Sequence, residues 1–555
     1  ILLIIKKPVY SNDIVPIDIF SASAIGNWAL QSTLIVMVGF SIAVFAGVIS
    51  GSSILQTIFG FGFLFIAPAT ILLFVAYFEK FLFGFTTTSK FDQLIVNISP
   101  IVSKIDSLKN FYNTKCMIWY IALTLIMFVI SYWLYTRRQL ERATEPIAFD
   151  LLKPIFKYCV AFCGMTVLGL YFMQLGENET FSMYTGFFIG SLVSYIIAEM
   201  IVQKSIWVFK NLKGYFIFLI IAALFIVSIQ TDVLGYEKRL PDISKVESIY
   251  IGSSSYRMEE NFEPLTTPEN IEQGYLYHQS IIDNRKVLEE EIDGYYNSVC
   301  IGYNYSDGKK LVRQYRLPRE FVSHNPYMKE VFESEEYKLT TDPIFKIDID
   351  NIDFLDIDPE LDHHHEPIRI IDRNEINEFW RVLNNDILNE TYEEHYDTLI
   401  DLGQVDLKWK KSREEIADDF EKDYYYYSPI IKQSYTATIE WLKAHGYMDK
   451  IIVTPEEVSY ITITKYLDDN DEIYTKEVEQ YSYDPSVIPE ATEQLMVITD
   501  KDYIQTILTK LEKAYYSKKG GYNVTIVLNQ GAERYIHHGY FELESAPQFI
   551  KNYFD

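Results

Sequence analysis

Tyr215-Phe-Ile-Phe-Leu-Ile-Ile-Ala-Ala-Leu-Phe-Ile-Val-Ser-Ile-Gln-Thr231 carries no charge, and the Asp232-Val-Leu-Gly-Tyr-Glu-Lys-Arg-Leu-Pro241 that follows carries four. At about 1.5 Å rise per residue, roughly 17 to 25 apolar residues cross the hydrocarbon core of a bilayer once, so the run predicts a final transmembrane span. Past Pro241 comes the strand-like Val246-Glu-Ser-Ile-Tyr-Ile251. Working outward from this junction, residues 1–235 read as a membrane domain and residues 236–555 as a soluble one.

The charge divides at the same place. Residues 1–235 hold 12 acidic and 15 basic side chains, whereas residues 236–555 hold 64 acidic and 34 basic, so the net charge of -27 belongs to the C-terminal part. A surface that acidic repels nucleic acid and anionic lipid, which excludes DNA or RNA as a partner. It is compatible with cations or a cationic peptide, although its first consequence is solubility. Of the four cysteines only Cys300 lies in the soluble part, so no internal disulfide can form there. Ile1-Leu-Leu-Ile-Ile5 reads as the tail of an earlier apolar helix, which predicts an N-terminally truncated chain.

Six spans are expected, at about 28–49, 54–78, 117–135, 155–175, 182–203 and 215–233, the second carrying Pro68 as a kink. Arg137, Arg138, Arg142 and Lys153 crowd the 136–154 connection, and Lys204, Lys210 and Lys213 the 204–214 connection. Both lie on one side of an alternating chain, and the positive-inside rule makes that side cytoplasmic and the C-terminal domain extracellular. The 79–116 loop, with five lysines, runs against this assignment. Glu199 is the one acid inside a span; intramembrane ionisable groups are functional candidates, but its nearness to Lys204 suggests a helix-end contact. In the 136–154 connection, Phe149, Leu151 and Leu152 can form a small apolar face where a soluble partner could push on the bundle.

Several of these stretches together resemble the permease subunits of bacterial ABC-2-type ABC transporters. They are the Gly-containing break at Ser50-Gly51, the Tyr135/Arg137-Arg138/Glu141/Ala143 pattern followed by Phe149, and Lys153-Pro-Ile-Phe-Lys-Tyr158. Tyr195-Ile-Ile-Ala-Glu199 and Asp232-Val-Leu-Gly-Tyr236 complete the set. The resemblance is nearest to the Gram-positive branch with an appended extracellular domain, and it covers roughly residues 1–255. It implies transport powered by a separate ATP-binding cassette ATPase, a second permease copy or paralogue, and envelope-active antimicrobials as cargo, hence antimicrobial resistance. It also implies that Arg137, Arg138, Glu141, Arg142 and Phe149 belong to the ATPase-coupling loop.

In the soluble part, Val299–Leu317 predicts a hairpin around a tight two-residue Asp307-Gly308 turn. Thr267-Pro268 predicts the start of a helix running to about Glu289, and a further helix is expected at about 430–445, ending at Gly446. An internal repeat links Asp372, followed by Ile376, Phe379 and Leu383, to Asp500, followed by Ile504, Ile507 and Leu511. Apolar residues at +4, +7 and +11 form one stripe of a helix capped by the aspartate, and Glu375 would close a capping box in the first copy. The expected fold is therefore a polytopic α-helical membrane bundle followed by an α+β domain of repeated strand-helix-hairpin modules.

His363-His364-His365 beside Asp358, Glu360 and Asp362 is a weak metal candidate, because consecutive histidines do not share a face. Asp348, Asp350 and Asp353 lack the glycine and terminal glutamate of a calcium loop. Tyr424-Tyr-Tyr-Tyr427 reads as packing. The sequence contains no phosphate loop, no nucleophile elbow and no His-Glu-x-x-His, so the expected assignment is no enzyme, no cofactor and no bound metal. The alternative function is a membrane-anchored extracellular binding or sensor protein without transport activity.

Overall fold

The computed structural model describes residues 9–10, 16–17 and 22–555, apart from 100–101, 103–113, 140–144, 177, 209–212, 234, 257, 259–262, 291–295, 362–366, 414–415, 417–423, 466–490, 493, 514–520, 529–535 and 555. The chain divides into two compact units, Ile1–Arg239 and Leu240–Asp555.

In the first unit, uncharged apolar sequence has one way to satisfy its backbone away from water, which is to coil on itself. Long helices follow: α1 (Ala22–Ile49), α2 (Ser53–Phe81), α4 (Thr114–Arg137), α5 (Leu152–Leu175), α6 (Glu179–Gln203) and α7 (Lys213–Gln230). All six are long and apolar enough to cross a membrane. The bundle leaves Val36, Ile54, Val129, Phe216 and Leu224 more than half exposed, an apolar girdle that needs a bilayer to cover it. The chain is a multi-pass membrane protein. Pro68 is buried within α2. A short amphipathic helix, α3 (Ser89–Ile98), stands in the 79–116 connection where the sequence suggests only loop, with Ile95 buried and the Asn97 carbonyl accepting from the Tyr120 hydroxyl at 3.0 Å.

Helices α5 and α6 cross most closely, and glycine is the reason. A Cβ at Gly190 would sit 2.2 Å from the Gly164 carbonyl, and one at Gly186 would sit 2.4 Å from the Leu168 carbonyl. Gly186-Phe-Phe-Ile-Gly190 thus brings two backbones together as small-xxx-small seams do in membranes.

Among the described residues, the second unit forms three antiparallel sheets. The first takes the order β1 (Val246–Gly252), β2 (Tyr296–Tyr305), β3 (Lys310–Pro318) and is covered by α8 (Pro268–Asp283), with α9 (Pro326–Phe332) and α10 (Glu335–Thr341) following. Strands β4 (Ile352–Pro359) and β5 (Ile368–Ile370) lead into α11 (Arg373–Asn389), then β6 (Gly403–Trp409), β7 (Ile430–Ile431) and α12 (Thr436–Ala444); the sheet order is β5-β4-β6-β7. Strands β8 (Val458–Lys465) and β9 (Leu495–Ile498) lead into α13 (Lys501–Lys510), then β10 (Glu512–Lys513), β11 (Tyr522–Leu528) and β12 (Ile536–Phe541). Here the order is β9-β8-β11-β12-β10.

Asp372 caps α11 through the N–H groups of Asn374 and Glu375, and Asp500 caps α13 through those of Asp502 and Tyr503. The stripes following each cap, Ile376/Phe379/Leu383 and Ile504/Ile507/Leu511, are fully buried in separate cores. Three local expectations need correction. Glu375 does not turn back to its cap but accepts from the Tyr447 hydroxyl at 3.0 Å. The hairpin turns through Ser306–Lys309 between Tyr305 and Lys310 as expected, but of Asp307 and Gly308 only Gly308 takes positive φ, so the turn is not of the tight two-residue kind. The helix expected from 430 begins at Thr436, because Ile430–Ile431 pairs with β6.

Candidate functional site

The basic end of the bundle is tied into a polar knot. Helices α1 and α2 meet at Ser50-Gly51-Ser52, where the last carbonyls of α1 lack intrahelical partners. Arg138, just past α4, meets them: its guanidinium donates to the Gly47 carbonyl at 3.0 Å and to the Ser50 carbonyl at 3.1 Å. Residues 145–148 then run along the break, with the Gly51 N–H donating to the Glu145 carbonyl (2.9 Å) and the Ala148 N–H to the Ile49 carbonyl (2.8 Å). Ile147 and Ala148 are buried, Ile147 in a cluster with Ala46, Ile49, Leu55 and Phe59, against which Phe156 of α5 and Ile201 of α6 pack. Lys153 anchors the segment from α5, pairing with Asp150 at 2.8 Å and Glu145 at 3.1 Å.

One turn further along α5, Lys157 pairs with Glu199 of α6 at 2.8 Å. Glu199 is 4% exposed, and its other oxygen accepts from the Gln203 amide at 2.5 Å. The Lys157 ammonium lies 5.9 Å from the centroid of the Tyr195 ring, which in turn contacts Tyr158 and Tyr215. The Tyr195 hydroxyl is buried without a hydrogen-bond partner, and a Cβ at Gly214 would lie 2.4 Å from it. Residues 145–150 are therefore held to the α1–α2 corner by backbone hydrogen bonds and by Ile147, and to α5 by Lys153. The Lys157–Glu199 pair ties α5 to α6, and removing one partner would leave an uncompensated buried charge.

The sequence candidates distribute unevenly over this knot. Arg138 is a central clasp, whereas Arg137 is exposed, its guanidinium 4.2 Å over the Trp133 ring. Phe149 is half-buried and Leu151 is 78% exposed, whereas Leu152 packs against the corner cluster together with Ile147. Glu141 and Arg142 lie outside the described residues. Glu199 pairs with Lys157 rather than Lys204, which is exposed and ends α6 in the left-handed conformation at φ 50°. A signal for Lys157 exists in the sequence: it and Glu199 stand in neighbouring antiparallel spans at similar distances from the loop that joins them.

In the second unit, His363, His364 and His365 lie outside the described residues. Asp348 accepts from the Asp350 N–H at 2.9 Å and Asp350 pairs with Arg373, which gives both aspartates a structural role. Tyr424 and Tyr427 pack against the second core, the Tyr427 hydroxyl donating to Asp342 at 2.7 Å. One fully enclosed polar group is a residue the sequence did not single out. His278 on α8 is fully buried, with Nδ1 3.0 Å from the Tyr303 hydroxyl and Nε2 2.8 Å from the Tyr315 hydroxyl. Burial, helped by the nearby Arg313 charge, brings its pKa down to about 3, so the ring is neutral.

Comparison with family models, with curated proteins and with solved structures finds no match to this chain.

Proposed function

We propose that the chain is the membrane-spanning permease subunit of an ATP-driven ABC transporter of the ABC-2 type, exporting or clearing an envelope-active compound or peptide. The observation that carries this reading is the knot: a connection at the basic end of the bundle is clasped to the α1–α2 corner and packs against α5 and α6. A soluble ATPase pressing on residues 145–150 would move four helices together. The chain itself has no phosphate loop, so hydrolysis belongs to a separate ATP-binding cassette subunit, and a second permease copy or paralogue completes the pathway. Differential affinity of the ATPase for the two bundle states would supply the bias.

The acidic unit would stand outside the cell and receive or sense cargo, its charge suited to a cationic peptide. We read it as strand-helix-hairpin modules: β5-β4-β6 and β9-β8-β11 follow the same pairing pattern, each with an aspartate-capped helix between its second and third strands in chain order.

The deciding experiment is gentle extraction of tagged full-length protein from its native membranes, identification of what co-purifies, and assay of ATP hydrolysis. A stoichiometric ATP-binding cassette subunit with vanadate-sensitive turnover supports the reading. A clean preparation with no ATPase, repeated under crosslinking, overturns it in favour of an anchored extracellular binding or sensor protein.

A further inference from the structure

A cleft of about 460 Å³ opens beside the first sheet, where the end of β1 and the start of β2 meet α8 and α10. Five tyrosines line it, Tyr250, Tyr277, Tyr296, Tyr337 and Tyr396, together with the Asn297 amide, and none of the described lining residues is charged. In a unit this acidic, a neutral aromatic wall is distinctive. Its size falls in the usual range for small-molecule sites, about 300–1,000 Å³.

Tyr277 is fully buried and its hydroxyl has no hydrogen-bond partner. Burial and the neighbouring Tyr396 and Tyr337 phenols, both in the cleft wall, push its pKa well above the ordinary tyrosine value. Most buried polar groups in folded proteins find a hydrogen-bond partner, and an orphaned hydroxyl on a residue that lines a cavity is a place where a ligand atom could supply one. Tyr296 is 48% exposed. The Arg316 and Arg319 guanidiniums lie 5.3 and 5.6 Å from the centroids of the Tyr296 and Tyr396 rings, so a cationic ligand would meet like charge. No basic residue lines the cleft itself, the two guanidiniums being engaged on the rings, so an anionic ligand would find no direct ion pair to offset its lost hydration.

We propose that this cleft binds an uncharged sugar of one or two rings, with the Tyr277 hydroxyl as hydrogen-bonding floor and tyrosine rings as stacking surfaces. A pyranose offers an apolar C–H face to an aromatic ring and hydroxyls to phenols and amides, which is the mixture this wall presents. The inference does not rest on the transport reading, since every residue it uses lies within Leu240–Asp555.

The test is titration of the full chain in lipid nanodiscs, because sugar-headed detergents would compete, with glucose, N-acetylglucosamine and their dimers, followed by saturation-transfer NMR and calorimetry. Saturable binding of at least one sugar is expected, weakened tenfold or more in Tyr277→Phe and in Tyr296→Ala. Tyr277→Phe removes a hydroxyl that has no protein partner, so its thermal unfolding should be unchanged or raised. A purely structural Tyr277 would instead lower it. The proposal is overturned if none of the four sugars binds the folded chain, if Tyr277→Phe binds as tightly as the parent, or if choline binds as well as the sugars.

Discussion

His278 is held neutral between two phenols, and the sign of its effect on stability follows. In the unfolded chain an imidazole protonates near pH 6.5, while in the fold it does so only at about 3. The unfolded state therefore takes up the proton first, and stability falls as pH drops below about 6.5, by about 1.4 kcal/mol per pH unit. Between about pH 6.5 and 5 this histidine should cost the second unit about 2 kcal/mol in chemical unfolding, an effect that Asp342 and Glu512, whose carboxyls burial pushes up, would oppose, and His278→Gln should remove the histidine's part of the slope. Equal slopes for the parent and His278→Gln in this window would refute the neutral-histidine reading. In the membrane unit, Lys157→Met strands the Glu199 carboxylate in a nearly closed site and is expected to destabilise by about 3–5 kcal/mol, whereas Lys157→Met/Glu199→Leu recovers most of the loss. Thermal unfolding of the single and double variants in one detergent measures the difference. Neither pair of partners is visible locally in the sequence: His278 and Tyr315 are 37 residues apart, and the orphaned Tyr195 and Tyr277 hydroxyls declare themselves only once the packing around them is known.

Helix ends show how far local sequence reaches. Asp372 and Asp500 were legible as caps because cap and helix are contiguous, and replacing either by alanine should cost about 1 kcal/mol. Thr267-Pro268 was legible as the start of α8, but the Thr267 side chain makes no capping bond. The start of α8 is held instead by Glu336 of α10, which accepts from the Thr266 N–H (2.7 Å), the Thr267 hydroxyl (2.7 Å) and the Asn270 amide (2.7 Å). Burial alone would raise this carboxyl, yet the hydrogen bonds outweigh it and hold it down to about 2. Its contribution is present above the ordinary glutamate range and is lost as pH falls from about 4.5 towards 2, below the histidine window. Glu336→Ala should therefore cost about 1–3 kcal/mol, more than either local cap, because it leaves several donors unmet at once. Equal losses for Glu336→Ala and Asp500→Ala in parallel urea titrations would count against that ranking. The other end of α11 is met in the same non-local way, by the buried Lys338 ammonium donating to the Leu388 and Glu390 carbonyls at 2.6 and 2.5 Å.

At the scale of the whole chain, hydropathy alone located all six helices to within a few residues, because an uncharged run of that length has few other structures open to it. Charge is the second global signal, and the five lysines of the 79–116 region, of which Lys80 pairs with Glu179, remain its one contrary feature. Arg137, Arg138, Lys153, Lys157, Lys204 and Lys213 all cluster where α1, α4 and α6 end and α2, α5 and α7 begin. If that end faces the cytoplasm, α7 delivers the chain to the opposite side, and the acidic unit with it. Two cysteine reporters separate the alternatives. Tyr426 is 80% exposed in the second unit and Trp207 is 80% exposed at the basic end. In intact cells, Tyr426→Cys should react with a membrane-impermeant maleimide while Trp207→Cys stays unlabelled until the membrane is permeabilised. The reverse pattern would invert the topology and put the acidic unit in the cytoplasm. The knot would then face outward, where no ATPase could press on it, so this labelling experiment tests the geometric premise of the transport reading before any cargo is known.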